Sequence, residues 1–360
     1  MSDRKIDHIK LAKLSSVEGV ETQDHRFYYE PMLSSHPHSI SGSSRGLIKF
    51  LGYNLGAPLW ISSMVGGSSN STPSAFEINM RLARVAKEFS LGMGVGSCRK
   101  LLECKCKGKE RKEYLKDFDL REIIGNELPF YANLGIAQIE QLLKSNSIQS
   151  VIDLMDELRA SGLIVHVNPL QEWLQSEGDH FTRPPIDIIK DFLDKLDKVD
   201  KFKKCNIIIK EVGQGMGPKS IEEILKLPIK AFEFAAFGGT NFSKLEILRG
   251  ENIKSKSKKS AMNCFVSVGH SAEEMVMMVN DAISNLGEER ALCKEFIISG
   301  GIRDFMDGYY LMSRLNHPSI YGYAFKFLNL AQKSYNELRL FVENEIKCLQ
   351  MAQNFLAVKF

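Results

Sequence analysis

FIISGGIR, at Phe296–Arg303, passes within a few residues from a continuous apolar run to a pair of glycines. An apolar run without alternation predicts a strand covered on both faces, as parallel sheets require. The Gly300–Gly301 pair at its end either turns the chain tightly into a helix or brings backbone N–H groups up to an anion. Just upstream, Met275, Val279, Ile283 and Leu286 recur at helical spacing, and downstream IYGY (Ile320–Tyr323) reads as a further strand ending at Ala324 and Phe325.

The same unit recurs towards the N-terminus. Strand-like runs fall at Leu59–Ser63, Leu91–Val95, Phe130–Asn133, Leu163–Asn168, Ile207–Val212 and Ala231–Ala235, which with the two above makes eight. Helix-period segments separate them. Ile78, Leu82, Val85 and Phe89 follow Ser74, and Ile148, Ile152, Met155 and Leu158 precede the fourth run. Ile189, Leu193, Leu196 and Val199 precede the fifth, and Pro218 opens a helix carrying Ile221, Ile224 and Leu225. Strand and helix alternating eight times leaves a closed barrel or a long doubly wound sheet, and eight units favour an α/β fold of the (β/α)8 TIM-barrel type. Residues 1–57 stand outside the repeat as an N-terminal extension, with 58–360 forming the barrel. Within the extension, LIKFLGY (Leu47–Tyr53) followed by Asn54–Ala57 reads as a hairpin that plugs the barrel bottom. IKSKSKKS (Ile253–Ser260) lacks apolar periodicity and reads as a mobile, solvated loop whose lysines have phosphates as an alternative partner.

Composition narrows the class. Hydrophobic content of 44% and charged content of 25% are those of a globular protein, and a formal charge of +3 spread along the chain argues against nucleic acid. No apolar stretch approaches the ~18 residues of a membrane span, and MSDRKIDHIK lacks a signal-peptide pattern, so the expected location is cytoplasmic. Seven scattered cysteines, of which only Cys104 and Cys106 are close, fit reduced thiols better than disulfides or a zinc site.

Barrel chemistry gathers at the C-terminal strand ends. Here those ends read SSMVGGS, GVGSCR, ANLG, HVNPLQE, KEVGQGMG, AAFGGTN, SGGIR and YAF. Glycines, hydroxyls and amides at nearly every end are hard to explain as packing, because glycine weakens an element unless the backbone must bend or approach a ligand. Gly300 and Gly301 on the seventh strand, with Ala324 and Phe325 on the eighth, occupy the usual phosphate cradle of such barrels. Lys210 lies late in a buried strand, where a charge is costly unless paired or functional. Its neighbour Glu211 points to the opposite face, so Lys210 is available to a phosphate or an electron-rich ring. Pro169 turns the chain and sets Gln171 beside Glu172; the carboxylate is either a helix-start residue or a ligand for Mg²⁺, which favours oxygen. Arg4, Lys5 and His8 form a small basic cluster, either solvated or laid on an anionic substrate.

These motifs, in this order, resemble the FMN-dependent type 2 isopentenyl diphosphate isomerases from end to end. RKIDH (Arg4–His8) is similar to the family's RKxxH, ISSMVGG (Ile61–Gly67) to ISSMTGG, and GVGSCR (Gly94–Arg99) to GVGSQR. ANLG, HVNPLQE, EGD (Glu177–Asp179), KEVGQGM, GGTN (Gly238–Asn241) and SGGIR match as well; HVNPLQE and GGTN are the specific ones. Val65 and Cys98 stand where the family has threonine and glutamine, and the stretch Asp304–Leu315 lacks the usual alanine-rich composition.

The resemblance implies an isomerase that shifts a proton between isopentenyl and dimethylallyl diphosphate. It implies FMN held by Ser63, Met64, Ser97, Asn133, Lys210 and Thr240, with its phosphate near Gly300, Gly301, Ala324 and Phe325. The diphosphate would meet Arg4, Lys5, His8 and Arg99. Gln171 would lie at the reacting carbons as the catalytic amide, Glu172 would bind Mg²⁺, and NADPH would reduce the flavin. A homo-oligomer, tetramer or octamer, is implied too. Two other readings stand beside it: an FMN barrel oxidising 2-hydroxy acids, which needs an HGGR-like run not found in the sequence, and a non-catalytic flavin- or phosphate-binding barrel.

Overall fold

The computed structural model describes residues 11–12, 15, 23–37, 47–64, 66, 72–103, 109–175, 178–199, 206–249 and 256–360. Its strands are β1 (Phe27–Tyr29), β2 (Ile48–Phe50), β3 (Tyr53–Leu55), β4 (Leu59–Ile61), β5 (Gly92–Gly94), β6 (Phe130–Gly135), β7 (Gly162–His166), β8 (Asn206–Lys210), β9 (Ala231–Glu233), β10 (Phe296–Ser299), β11 (Ser319–Tyr323) and β12 (Leu356–Val358). Strands β4 to β11 close in sequence order into a parallel barrel, β11 pairing back onto β4. All eight runs expected from the sequence are barrel strands.

The barrel interior is filled rather than hollow. Trp60 and Tyr131 are fully buried and meet edge to face, with ring centroids 5.9 Å apart. Glycines on neighbouring strands make the space for them. A Cβ on Gly92 would lie 2.3 Å from the Trp60 ring, and one on Gly162 would lie 2.6 Å from that of Tyr131. Outside, amphipathic helices supply the second layer. Ala75–Phe89 starts at a capping box in which Ser74 and Glu77 satisfy each other's backbone N–H groups, and it buries Ile78, Leu82 and Val85.

The hairpin β2–β3 lies against the N-terminal ends of the barrel strands. Its two-residue turn, Leu51–Gly52, has positive φ at both positions (55° and 85°), the geometry that suits strand twist. Leucine is strained there. Its side chain is nevertheless 2% exposed, and its N–H donates to Glu295 Oε1 at 2.6 Å, just before β10. Tyr53 Oη reaches Ser161 Oγ at 2.9 Å, just before β7. Strand β1 pairs antiparallel with β12, so residues near the two ends of the chain share one ribbon. Phe27 of that ribbon stacks on Tyr309, and Arg26 beside it donates to Asp307 at 2.7 Å.

One expectation is corrected. Ile253–Ser260 was expected to be a loop, but Lys256–Ser260 forms the first turns of the helix Lys256–Val266; residues 253–255 lie outside the described residues. Lysine is a good helix former, and the far end of this helix is tied down. Asn241 Nδ2 donates to Val266 O, and Gln214 Nε2 donates to Phe265 O and Val268 O. Those caps come from elsewhere in the chain, which is why local periodicity did not reveal the helix.

Candidate active site

A cavity of about 380 Å³ opens at the C-terminal ends of β8 to β11 and β4. Ser62, Ser63, Lys210, Thr240, Gly300 and Gly301 are on its wall, as are Ala324 and Phe325. Two double-glycine turns meet there. Gly300 has φ +86°, and a Cβ on it would lie 2.2 Å from Ala236 O. A Cβ on Gly239 would lie 3.1 Å from Gly301 N. Only glycine lets these loops approach so closely, and the result is a wall of bare backbone of the kind that cradles phosphate. Just past β4, the hydroxyls of Ser62 and Ser63 are buried without a hydrogen-bond partner among the described residues. Gly322 and Gly94 leave room for them: a Cβ on either would lie 2.8 Å from Ser62 Oγ or 2.4 Å from Ser63 Oγ, respectively. A buried hydroxyl without a partner is costly, so a pair of them on a cavity wall is suited to a polar ligand.

Lys210 belongs to a polar belt across five adjacent strands. Asn133 (β6), His166 (β7), Lys210 (β8), Glu233 (β9) and Ser299 (β10) lie at or near one level, His166 being in register with Lys210 and Lys210 with Glu233. His166 Nδ1 lies 2.7 Å from Asn133 Oδ1, so the ring donates there. Burial, and then the positive Lys210, lower the His166 pKa to about 3, leaving a neutral imidazole. Lys210 Nζ donates to the Glu211 carbonyl at 2.7 Å. The Glu211 carboxylate points the other way and accepts from the N–H groups of Gly213, Gln214 and Gly215 at 2.6, 2.6 and 2.9 Å, shaping the loop after β8. Burial raises its pKa against the pull of those N–H groups.

The rim carries the second cluster. Asn168 Nδ2 donates to Gln171 Oε1 at 2.9 Å and to Glu172 Oε1 at 3.0 Å. Gln171 Nε2 in turn reaches Glu246 Oε1 at 3.3 Å, and Gln175 Nε2 reaches the same oxygen at 2.8 Å. Glu172 is buried rather than a surface helix-start residue, and its Oε2 accepts the Asp179 N–H at 2.8 Å. Asp179 Oδ2 pairs with Arg99 at 2.8 Å and accepts from Gln138 Nε2 at 3.0 Å. Arg99, Gln171 and Glu172 are therefore tied into one rim network. A larger cavity of about 610 Å³ lies beside it, with Gln171 and Val212 at its edge and Pro184, Ile189, Met216 and Ile224 among its apolar walls.

Met64, Ser97 and Asn133 are not on the wall of the smaller cavity; Ser97 Oγ instead accepts the Arg99 N–H at 3.4 Å. Arg4, Lys5, His8, Val65 and Glu177 lie outside the described residues. Sequence reasoning passed over Glu246, Glu233 and Ser62. Glu233 carried the same signal as Lys210, a charge inside an apolar strand run. Glu246 had none, since an acid on a helix is ordinarily solvated.

No family model matches the chain. Its fold is that of a mandelate oxidase variant bearing an FMN monooxide adduct (TM-score 0.52, 10% identity, 100% of this chain and 98% of that one). A flavocytochrome b2 variant with benzoylformate is also similar (TM-score 0.55, 12% identity, 92% of this chain and 72% of that one). The fold class is thus a closed (β/α)8 barrel. In sequence, the chain is 30% identical over 348 residues to the isopentenyl-diphosphate delta-isomerase of Rickettsia rickettsii (strain Sheila Smith), covering 95% of this chain and 90% of the relative. The corresponding protein of Rickettsia peacockii (strain Rustic) is 29% identical over the same length. The chain belongs to the isopentenyl-diphosphate delta-isomerase family.

Proposed function

We propose that the chain is the FMN-dependent, type 2 form of this isomerase and interconverts isopentenyl and dimethylallyl diphosphate by a 1,3-proton shift. The observation that carries the reading is the meeting of the double-glycine wall with the unpartnered hydroxyls of Ser62 and Ser63 beside Lys210. These residues fit a phosphate-bearing ring with polar edges. Gly300, Gly301, Ala324 and Phe325 take the phosphate, while Ser63, Lys210 and Thr240 face the rest of the molecule, with Met64, Ser97 and Asn133 nearby.

Bound FMN, reduced by NADPH, supplies acid–base chemistry strong enough for an unactivated alkene. The protein's own part is to hold the substrate and place protons. Gln171, fixed by Asn168 on one side and Glu246 on the other, positions a proton at its amide. Arg99, oriented by Asp179, holds the diphosphate together with Arg4, Lys5 and His8. Binding energy from that remote group orients the reacting carbons. Among the described residues no cluster of three His, Cys, Asp or Glu side chains is built to hold a metal. Glu172 would hold Mg²⁺ through its carboxylate, and the ion would offset the charge of the diphosphate. Among the described residues no helix is long and apolar enough to cross a membrane, in keeping with a cytoplasmic enzyme. The exposed Tyr29, Met32, Leu33 and Phe360 near the β1–β12 ribbon support a homo-oligomer.

The test is anaerobic incubation with FMN, NADPH, Mg²⁺ and isopentenyl diphosphate in D₂O, followed by NMR. Deuterated dimethylallyl diphosphate without stoichiometric NADPH consumption is the expected result. A yellow, folded protein that produces none would sink the substrate assignment and turn attention to 2-hydroxy acids.

A further inference from the structure

We infer that Glu233 is the counter-charge of Lys210, and that it acts as a positioning residue setting the charge balance beneath the flavin cavity. The inference rests on the FMN reading above. Glu233 is 0% exposed, inside the barrel, at the residue of β9 in register with Lys210 of β8. Register partners on adjacent strands share a face, so both side chains turn inwards. Each is held by a neutral group and keeps capacity to spare. Glu233 Oε1 accepts from Ser299 Oγ at 3.1 Å, while its Oε2 has no partner among the described residues. Lys210 donates to the Glu211 carbonyl, and an ammonium has three donors.

A carboxylate with an unused oxygen is an expensive way to fill a barrel whose other interior residues include Trp60 and Tyr131. The charge therefore calls for a role that an apolar side chain could not fill. Its surroundings supply one. Lys210 and Ser299 are both on the cavity wall, so Glu233 stands one hydrogen bond from the space assigned to the flavin. Ser299 Oγ also accepts the Ala235 N–H at 3.1 Å, which fixes the hydroxyl so that it donates to Glu233. A positive Lys210 favours an electron-rich reduced ring, and a negative Glu233 opposes it. The two together keep the flavin from being either trapped reduced or hard to reduce.

The experiment compares wild type, Glu233→Gln, Lys210→Met and the double variant. With FMN bound, Glu233→Gln keeps an acceptor for Ser299 but loses the charge. Its flavin should become easier to reduce, by at least tenfold in the reduced-to-oxidised ratio at a fixed potential, or ~30 mV for a two-electron couple. Lys210→Met should move the potential in the opposite direction. An unchanged potential in Glu233→Gln overturns the inference, since a merely structural residue would leave it unmoved. Urea unfolding of the apoproteins tests the pair without FMN. Lys210→Met should be less stable than the double variant, because it strands the carboxylate. Failure of Glu233→Gln to rescue Lys210→Met, whether by folding or by stability, also overturns the inference. A wild type that folds but takes up no FMN would instead defeat the flavin reading and leave the urea comparison standing.

Discussion

Gln171 and Glu246 meet at the barrel rim, the amide nitrogen 3.3 Å from the carboxylate oxygen, although 75 residues separate them in the chain. The amide's other end is held by Asn168, so Gln171 has one orientation fixed from two sides. Glu246→Ala should release it. We expect kcat to fall by about 10²-fold, the lower range for losing a positioned proton-transfer group, with the flavin spectrum unchanged. A raised KM at unchanged kcat would show that the pair serves binding only.

Glu172→Gln should make activity far less responsive to Mg²⁺ while FMN stays bound, because Glu172 lies on the rim and not on the cavity wall. Its Oε1 contact with Asn168 can persist in the amide. Titration of activity with Mg²⁺, alongside flavin absorbance, checks this; loss of FMN from a folded variant would contradict the division of roles.

Gly300→Ala should weaken FMN binding at least tenfold by fluorescence titration. Its φ of +86° disfavours any side chain, and the added Cβ would collide with Ala236 backbone atoms at 2.2 and 2.3 Å. Normal FMN affinity in this variant would remove the double-glycine wall from the phosphate site.

Asp307 offers a pH test. Burial raises its pKa, but bonds from the Arg303 side chain and backbone and from Arg26 outweigh this and bring it from 3.8 down to about 2. A depressed carboxylate pKa contributes stability that is present above the unfolded value and lost as pH falls through the folded one. The contribution is roughly 2 kcal/mol. Asp307→Asn should therefore be less stable than wild type in urea at pH 7, with the gap closing between about pH 4 and pH 2. A gap independent of pH would show that shape, not charge, is what Asn fails to replace.

The barrel was legible because each strand and helix announces itself locally, through an apolar run followed by glycine or a helical stripe. The glycine pairs, Lys210 and Gln171 were legible for a similar reason, as residue types out of place at strand ends. The partnerships were not. His166, Lys210, Glu233 and Ser299 span four strands, and nothing within one strand shows which neighbour completes its hydrogen bonding. Helix Lys256–Val266 escaped for the same reason, being held by Gln214 and Asn241 from distant turns.

Leu51, buried and fastened to Glu295 through its backbone N–H, ties the hairpin to the N-terminal side of the barrel. The cavity walled by Lys210, Gly239 and Gly301 opens instead at the C-terminal strand ends. Isotope taken up by the product of the proposed reaction would then enter from that side. Residues around that opening, rather than those of the hairpin, would set how fast the label exchanges with solvent between turnovers.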